Sequence, residues 1–441
     1  MNTLSVVGLG RLGLPLALYC ASKGYNVVGV DTNPDVLRAM KFGKSLIYEP
    51  EVERLLRENK ERFRTTRDYN GAVIESGITF ILVPTPSEEG GGFSTNYVEA
   101  VAEDIGKALQ QKNSFHIVVV VSTVMPGATE TVIKPILENI SGKQCGVDFG
   151  LCYNPEFVAL GSVIRDLANP DAILIGESDS QSGDMLAEVY KEICDNNPPI
   201  VRTNFYNAEV AKLALNVFIT TKVTLANTFA EICEQLPGGD VDVVTKFLGL
   251  DSRIGSKYLK GGLGYGGPCF VRDNLAYMAL AKELGTQSWL QEATDKVNRS
   301  LTKRVVKLAH QQFRTLNGVS IAILGITYKP NTNVVEESAS LDVAKELLKA
   351  GARLQIYDPS GSDMAWQVLG DKNATYATSI VECLSGTQLC ILATPWEYFR
   401  GLGPDDFIML MKEPRLLDCW RFFDKREFLG KMEYHTIGTK Q

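Results

Sequence analysis

The sequence feature that most restricts the fold is the glycine-rich segment Gly8–Gly13 (GLGRLG), which follows the apolar run Leu4–Val7 and precedes a helical stretch. In a strand–turn–helix unit the first glycine allows a tight turn, the second lets a pyrophosphate approach, and the third packs helix against strand. Asp31 ends the next apolar run, at the spacing expected for an acid that binds a ribose hydroxyl. The pattern predicts a dinucleotide-binding domain. Because the Asp31 carboxylate would repel a 2′-phosphate, it favours NAD over NADP.

Short apolar runs alternate with helical stretches through the first two hundred residues. Runs such as Ile117–Val121 are apolar throughout, as strands buried on both faces of a sheet are. A second unit of this kind begins near residue 318, with predicted strands at Ser320–Leu324 and Arg353–Tyr357, and Asp358 ends the latter strand as Asp31 ends its own. The fold class predicted is therefore α/β, with two Rossmann-like, doubly wound parallel-sheet domains.

A long central helix is predicted between these two domains. From Phe205 to Leu236 there is no glycine or proline, and a helix of this length would span roughly 48 Å at 1.5 Å per residue. Pro237, Gly238 and Gly239 end it. The predicted domains are residues 1–203, which bind NAD, residues 204–300, a small helical domain with the long helix and a cysteine loop, and residues 301–441, the second Rossmann-like domain.

Composition argues against several other classes of protein. The net charge of the 441-residue chain is −7, so no nucleic-acid partner is expected, and the charged segment Glu51–Arg67 is interpreted as a solvated helix face. No stretch approaches the roughly 18 uninterrupted apolar residues of a membrane span, so no membrane partner is expected. The nine cysteines are scattered without CxxC pairs, which favours reduced thiols and a cytoplasmic location. The three histidines (His116, His310 and His435) form no ligand-like cluster, so no metal is expected.

Cys269 lies in Gly264–Asp273 (GYGGPCFVRD), where several glycines let the backbone pass close to a ligand and Asp273 follows the cysteine by four residues. A cysteine taken alone is more often a small buried hydrophobe. Downstream of a nicotinamide-binding unit, however, a thiol can trap an aldehyde and then carry it as a thioester. The loop is therefore a candidate catalytic segment.

Three polar residues of the long helix, Glu209, Lys212 and Asn216, are spaced so that they share one face. One interpretation is a buried salt bridge between Glu209 and Lys212. The other is that the ammonium and the amide are aimed at an oxyanion, where such groups stabilise a transition state strongly in a dry site. The segment by itself does not decide between the two.

Polar residues also follow several predicted strands. Pro84 and Thr85 follow one strand, and Ser122 and Thr123 follow another. Ligands of such sheets bind at these carboxyl ends. Glu156, in the turn Asn154–Phe157 (NPEF), can position or deprotonate a water molecule if it lies beside a catalytic thiol.

Together these segments resemble the UDP-glucose/GDP-mannose dehydrogenase family, from about Leu4 to Asp424 and in the order of the family's motifs. The motifs are GLGRLG at Gly8–Gly13, VPTP at Val83–Pro86, STV at Ser122–Val124, NPEF at Asn154–Phe157, AEVAKLALN at Ala208–Asn216, SRIG at Ser252–Gly255, GYGGPCF at Gly264–Phe270 and YKPNT at Tyr328–Thr332. Members oxidise the C6 alcohol of a nucleotide sugar to a carboxylate with two NAD. The resemblance implies that residues 301–441 bind the nucleotide sugar.

The resemblance also implies roles for individual residues. The catalytic set is Cys269 as nucleophile, Asp273 assisting proton transfer, Lys212 and Asn216 stabilising the oxyanion, Glu156 serving thioester hydrolysis, and Thr123 holding the water. The cofactor contacts are Gly8, Gly10, Arg11, Leu12, Gly13, Asp31, Pro84, Thr85, Thr123 and Arg272. The substrate contacts are Glu156, Lys212, Asn216, Arg253, Tyr258, Tyr265, Gly266, Tyr328 and Lys329. Arg253 is expected to reach the site of a neighbouring subunit, in a homodimer or higher homo-oligomer built on the long helix.

Several alternatives remain open. UDP-glucose is the first expectation for the substrate, with a UDP-N-acetylhexosamine or GDP-mannose as alternatives. A two-electron dehydrogenase of the hydroxyacid type would share the NAD domain, yield one NADH per substrate and tolerate loss of Cys269. A non-catalytic nucleotide-sugar binder finds support only in Leu160 and Glu336, where family members often carry a glutamate and an arginine.

Overall fold

The structure, a computed structural model, describes residues 2–440. The chain divides into two compact units, of which unit 1 runs as far as Ala214 and unit 2 begins at Leu215. The division falls within the long helix, which spans Phe205–Gln235 and ends beside the predicted glycine-rich stop. The three-domain division at residues 203 and 300 stays a prediction.

Unit 1 is built on one eight-stranded sheet. Its strands are β1 Thr3–Val7, β2 Asn26–Val30, β3 Phe63–Thr66, β4 Ile78–Ile81, β5 Ile117–Val120, β6 Gly150–Tyr153, β7 Ile173–Glu177 and β8 Ile200–Thr203. Their order across the sheet is β3-β2-β1-β4-β5-β6-β7-β8. Neighbouring strands are parallel, apart from β6 and β7, which pair antiparallel. The predicted doubly wound sheet is confirmed. The reversal at β7 is a difference that composition cannot reveal, because buried strands are apolar in either direction.

Helices cover both faces of this sheet. They are α1 Gly13–Ser22, α2 Pro34–Lys41, α3 Val52–Glu58, α4 Tyr69–Glu75, α5 Asn96–Gln111, α6 Lys134–Ser141, α7 Val163–Ala168, α8 Ser180–Ile193 and the start of α9 Phe205–Gln235, which belongs to unit 1 as far as Ala214, with a π-helical turn at Thr129–Ile133 before α6. One apolar cluster joins α1, α2 and α3 to alternate residues of the strands, and a second joins α4, α5 and α6 to the others. Ile117 and Val119 of β5 belong to the first cluster and Val118 and Val120 to the second. Burial on both sides is why such strands are continuous apolar runs.

Unit 2 contains a six-stranded sheet and the remaining helices. Its strands are β9 Ser320–Leu324, β10 Arg353–Tyr357, β11 Ala374–Tyr376, β12 Leu389–Leu392, β13 Arg415–Asp418 and β14 Glu433–Thr436, in the order β11-β10-β9-β12-β13-β14 with parallel neighbours. Its helices are α10 Val241–Leu250, α11 Gly267–Glu283, α12 Trp289–Gln312, α13 Ala339–Lys349, α14 Ser362–Leu369, α15 Ile380–Leu384, α16 Pro404–Leu410 and α17 Lys425–Phe428, with a 3-10 turn at Glu397–Gly401. This order repeats that of the first six strands of unit 1. The second predicted Rossmann-like domain is thereby confirmed.

The two units use the acid at the end of their second strand differently. Asp358 of unit 2 is buried and accepts hydrogen bonds from Ile326 N, Thr327 N, Thr327 Oγ1, Ser360 N, Gly361 N and Trp396 Nε1. Asp31 of unit 1 is only half-buried and accepts from two backbone N–H groups. Asp358 is therefore used within the fold, whereas part of the Asp31 side chain remains exposed to a ligand.

The long helix α9 is apolar as well as long. Among residues 2–440, it is long and apolar enough to cross a membrane, judged by length and composition alone. In the structure, 44% of its most apolar window is buried. Core helices of globular proteins meet the same criterion.

Candidate active site

The glycine-rich turn of unit 1 has the shape that a pyrophosphate requires. Gly8 has a φ of 91°, and a β-carbon there would overlap the carbonyl group of Leu82. A β-carbon at Gly13 would overlap the carbonyl oxygen of Gly8. At Gly10, by contrast, no atom lies within 4 Å of where a β-carbon would be. The outer glycines are required by packing, and the middle one leaves open space at the start of α1, where helix N–H groups attract an anion.

Asp31 lies beside this turn, at the end of β2. Its Oδ2 atom accepts a hydrogen bond from Leu9 N at 2.8 Å, and its Oδ1 atom accepts one from Asn33 N at 2.8 Å. The carboxylate is thereby held against the glycine-rich turn, as an acid that binds a ribose hydroxyl has to be. Arg11 is exposed and Leu12 half-buried immediately before α1. These residues fit a bound NAD.

The loops after β4 and β5 are tied together at the same edge of the sheet. Thr85 Oγ1 donates a hydrogen bond to the carbonyl oxygen of Thr123 at 2.7 Å. Ser122 Oγ donates to the carbonyl oxygen of Val83 at 2.7 Å and accepts from its N–H group at 3.0 Å. Pro84 is exposed and Thr123 half-buried. The structure thus brings three predicted cofactor residues together, and Ser122, for which the motifs indicate no role of its own, links the two loops.

Glu209 does not form the salt bridge with Lys212 that one interpretation proposed. Its carboxylate is fully buried and accepts hydrogen bonds from Gly127 N at 2.6 Å and Thr129 N at 2.9 Å. Burial raises the pKa of this carboxyl, and the hydrogen bonds from Thr129 and Gly127 act in the opposite direction. The salt-bridge interpretation is wrong because the backbone N–H groups that begin the π-helical turn reach the carboxylate instead.

Lys212 contacts the turn that carries Glu156. Its Nζ atom donates a hydrogen bond to the carbonyl oxygen of Glu156 and lies 4.9 Å from the centroid of the Phe157 ring. Burial raises the pKa of the Glu156 carboxyl to about 7, and the Lys212 ammonium opposes that rise. A carboxyl with a pKa near neutrality can act as a general base or acid at physiological pH.

The turn itself is fixed by Asn154, which lies two residues before Glu156. Its Nδ2 atom donates to the carbonyl oxygen of Leu174 at 2.8 Å, and its Oδ1 atom accepts from the Tyr190 hydroxyl. Tyr190 is 36 residues away in the sequence, so nothing in the motif indicates this contact. It holds the turn in place from β7 and α8.

In unit 2, Cys269 lies exposed on the first turn of α11. Pro268 occupies one of the first two positions of the helix, where its missing N–H group costs nothing. The first turn of a helix favours negative charge, because its peptide N–H groups have no partner within the helix. The predicted nucleophile is therefore accessible to a small molecule and lies in a favourable local field.

Asp273 lies one turn further along α11 and is 1% exposed. Its Oδ2 atom accepts a hydrogen bond from Asn216 Nδ2 at 2.6 Å, and its Oδ1 atom lies 3.6 Å from Arg272 Nε. Among residues 2–440, no group donates a hydrogen bond to that Oδ1 atom. The structure thus joins two predicted catalytic residues from α9 and α11 and leaves one carboxylate oxygen for a further proton donor.

The cysteine loop packs closely against the segment after β9. A β-carbon at Gly266 would overlap the carbonyl oxygen of Glu337. Gly267 has a φ of 83°, and a β-carbon there would lie 2.5 Å from the Tyr328 ring. The glycines are thus needed for Tyr328 to reach the loop.

The other predicted substrate residues of unit 2 lie as follows. The rings of Tyr258 and Tyr265 each meet the Phe270 ring edge-on, with centroids 6.3 Å apart. Lys329 Nζ lies 5.7 Å from the centroid of the Tyr328 ring. Arg253 is exposed and pairs with Asp251 at 2.6 Å. The roles of all these residues stay predictions.

The chain matches known proteins along nearly its whole length. Three domains of the UDP-glucose/GDP-mannose dehydrogenase family match the chain: the NAD binding domain at residues 2–194, the central domain at 206–300 and the UDP binding domain at 322–425. The UDP-glucose 6-dehydrogenase AglM of Haloferax volcanii is 35% identical over 97% of this chain and 98% of its own. The GDP-mannose 6-dehydrogenase of Pseudomonas putida is 35% identical over 91% of this chain and 92% of its own.

A solved structure gives the same result for the fold. The UDP-glucose dehydrogenase of Pyrobaculum islandicum superposes with a TM-score of 0.89 at 33% identity, covering 100% of this chain and 98% of that one. The predicted resemblance, the fold class and the NAD cofactor are confirmed. The chain belongs to the UDP-glucose/GDP-mannose dehydrogenase family.

Proposed function

We propose that this chain oxidises the C6 alcohol of UDP-glucose to the carboxylate, with NAD as hydride acceptor and Cys269 as covalent nucleophile. The observation that carries the proposal is the exposed cysteine on the first turn of α11, one turn before a buried aspartate held by Asn216. Relatives of 30% identity or more along nearly the whole chain that are named UDP-glucose 6-dehydrogenases support the choice of sugar nucleotide.

Unit 1 would hold the cofactor. Gly8–Gly13 and Asp31 have the geometry for its pyrophosphate and ribose, and Pro84, Thr85 and Thr123 lie at the same sheet edge. Arg272, which the family resemblance also assigns to the cofactor, belongs to unit 2. When bound, NAD would supply the hydride acceptor for both oxidations of the C6 carbon.

The residues of this chain supply the remaining steps. Asp273 Oδ1 accepts the proton of the C6 hydroxyl, directly or through water, while Asn216 holds the other carboxylate oxygen. Cys269 Sγ then bonds to the aldehyde carbon to give a thiohemiacetal, and loss of a second hydride and a proton leaves a thioester. Lys212 neutralises the oxyanion that forms when water attacks this thioester.

Hydrolysis completes the cycle. Glu156 takes a proton from the attacking water, which Thr123 positions. The carbon–sulfur bond then breaks, so that the carboxylate leaves and the Cys269 thiol is restored. The net reaction consumes one water and transfers two hydrides for each sugar.

The NADH formed per sugar tests the proposal. We expect two NADH for each UDP-glucose consumed, and the Cys269→Ser variant is expected to lose most uronate production and to stall at aldehyde-level or covalently attached product, detected by mass spectrometry. Cys145→Ser, which changes a half-buried cysteine of unit 1, is the matched control. A ratio of one NADH per sugar, or full uronate production by Cys269→Ser, would contradict the thioester route and favour a two-electron dehydrogenase.

GDP-mannose is the second candidate substrate. The GDP-mannose 6-dehydrogenase of Pseudomonas putida is 35% identical to this chain, as is the UDP-glucose 6-dehydrogenase of Haloferax volcanii. Parallel assays with UDP-glucose, UDP-N-acetylhexosamines and GDP-mannose separate the candidates by kcat/KM. Tight binding of one of them without NADH formation would instead indicate a non-catalytic binder.

We also propose that the chain forms a homodimer through α9 and α10 and functions in the cytoplasm. Phe218 on α9 is 65% exposed, and Phe247 and Leu250 on α10 are 75% and 78% exposed. Exposed apolar side chains in such number mark association surfaces. The scattered cysteines, without the spacings of a disulfide framework, support the reducing compartment.

A further inference from the structure

A groove in unit 1 lies apart from the residues assigned to the cofactor. It is bounded by α2, by α3 and the residues that follow it, and by the edge strand β3, and its volume is about 860 Å³. Ligand pockets commonly fall between roughly 300 and 1,000 Å³. None of the predicted cofactor residues lines it. We call it the basic groove.

Every charged residue that lines the basic groove is a cation. They are Arg38, Lys41, Arg57, Lys60 and Arg64. This concentration occurs in a chain whose net charge is −7, within and beside a segment that composition alone describes as a solvated helix face. The groove is therefore a local positive field on an acidic protein, and such fields raise the local concentration of anions.

The cations are only weakly compensated. Arg38 lies 3.5 Å from Asp35 and Arg57 lies 4.0 Å from Glu53, both as exposed pairs, and Arg64 pairs with exposed Glu75. Exposed pairs of this kind contribute little. Within residues 2–440, Lys41 and Lys60 form no ion pair. At least these two ammonium groups can therefore bind an added anion without first breaking an internal contact.

The floor of the groove is apolar. Leu37 and Met40 of α2, Leu56 of α3 and Phe63 of β3 line it, and they belong to or pack against the apolar cluster on that face of the sheet. An apolar floor beneath a cationic rim matches a ligand that has an apolar body and a phosphate head. An arginine guanidinium can donate two parallel hydrogen bonds to the oxygens of one phosphate, whereas a lysine ammonium acts as a point charge.

We propose that the basic groove binds a soluble phosphate ester that carries two or more negative charges and an apolar body. Its site is separate from the dinucleotide site, although both use the segment that begins at β2. Asn33 is the N-cap of α2, and its N–H group donates a hydrogen bond to Asp31 Oδ1 at 2.8 Å. The helix that lines the groove therefore begins next to Asp31, the residue predicted to bind ribose.

Calorimetric titration of the full-length enzyme tests this proposal. The protein is first saturated with NADH and UDP, so that the cofactor and nucleotide sites are occupied. Geranyl diphosphate is then titrated as the probe, with pyrophosphate and geraniol as the head alone and the body alone. We expect geranyl diphosphate to bind more tightly than either, and to bind more weakly as the ionic strength is raised.

Charge-removing variants locate the site. The double variant Lys41→Gln/Lys60→Gln is expected to bind geranyl diphosphate roughly tenfold or more weakly, with NADH production unchanged. Lys107→Gln/Lys191→Gln removes two exposed lysines of the same unit as the matched control and should bind like the wild type. The proposal is overturned if the Lys41→Gln/Lys60→Gln variant binds geranyl diphosphate as tightly as the wild type does. Binding only to phosphatidylcholine vesicles that contain phosphatidic acid, without binding of soluble geranyl diphosphate, also overturns it.

Discussion

Glu156 contributes both a backbone contact and a titratable side chain to one turn. Its backbone carbonyl oxygen accepts a hydrogen bond from the Lys212 ammonium, while burial raises the pKa of its side chain to about 7. The backbone contact fixes where Lys212 lies, and the side chain remains able to exchange a proton. The same turn therefore positions one catalytic candidate and supplies another.

This predicts a specific pH dependence for thioester hydrolysis. Because burial raises the pKa of Glu156 to about 7, the carboxyl is protonated and inactive as a base at lower pH. We expect the hydrolysis rate, measured in single-turnover experiments, to rise with pH through about 7 and to fall about tenfold per unit below it. Glu156→Gln should be slower throughout and lack this dependence. An identical pH profile in that variant would assign the titration to another group.

Residue contacts also mark the limit of what the sequence could predict. The motifs predicted Asp273 and Asn216 as separate contributors, but not that they bind each other across 57 residues of sequence. They likewise could not assign Glu209 to Gly127, 82 residues away. A motif records which side chains occur and how they are spaced along one element. The pairing of distant elements depends on packing, and a single sequence carries no direct record of it.

At the scale of elements, periodicity and turn residues predicted the strands well. The predicted limits at Ser320–Leu324 and Arg353–Tyr357 are those of β9 and β10. The long helix ends one residue earlier than predicted. The antiparallel pairing of β6 with β7 was not predicted, because β6 is buried along its length and has the same apolar composition in either case.

One element-level prediction concerns the junction of α9 with the turn before α6. Glu209→Ala would leave two buried N–H groups, of Gly127 and Thr129, without a partner and would also create a cavity. We expect the free energy of unfolding in urea to fall by about 2–6 kcal/mol, since each of the two unsatisfied groups costs about 1–3 kcal/mol.

The matched control is Glu103→Ala, an exposed glutamate on α5 of the same unit, which should change the free energy of unfolding by less than about 0.5 kcal/mol. Equal effects of the two substitutions would show that the carboxylate at 209 does not support the junction.

At the scale of the whole molecule, the exposed apolar residues of α9 and α10 predict self-association. Phe247→Glu places a charge on that surface and is expected to shift the species seen by sedimentation velocity from dimer to monomer. Trp366→Glu, which changes an exposed aromatic of α14, is the control and should leave the dimer intact. A wild-type protein that sediments as a monomer at micromolar concentration would rule out the proposed association.

The contact between Gly267 and the Tyr328 ring has a consequence for protein engineering. With only 2.5 Å between the ring and the place of a β-carbon, even alanine at position 267 would force the ring to move. Anyone grafting the cysteine loop onto another scaffold would therefore have to transplant the segment after β9 along with it. The loop that carries Cys269 and the segment that carries Tyr328 depend on each other for their packing.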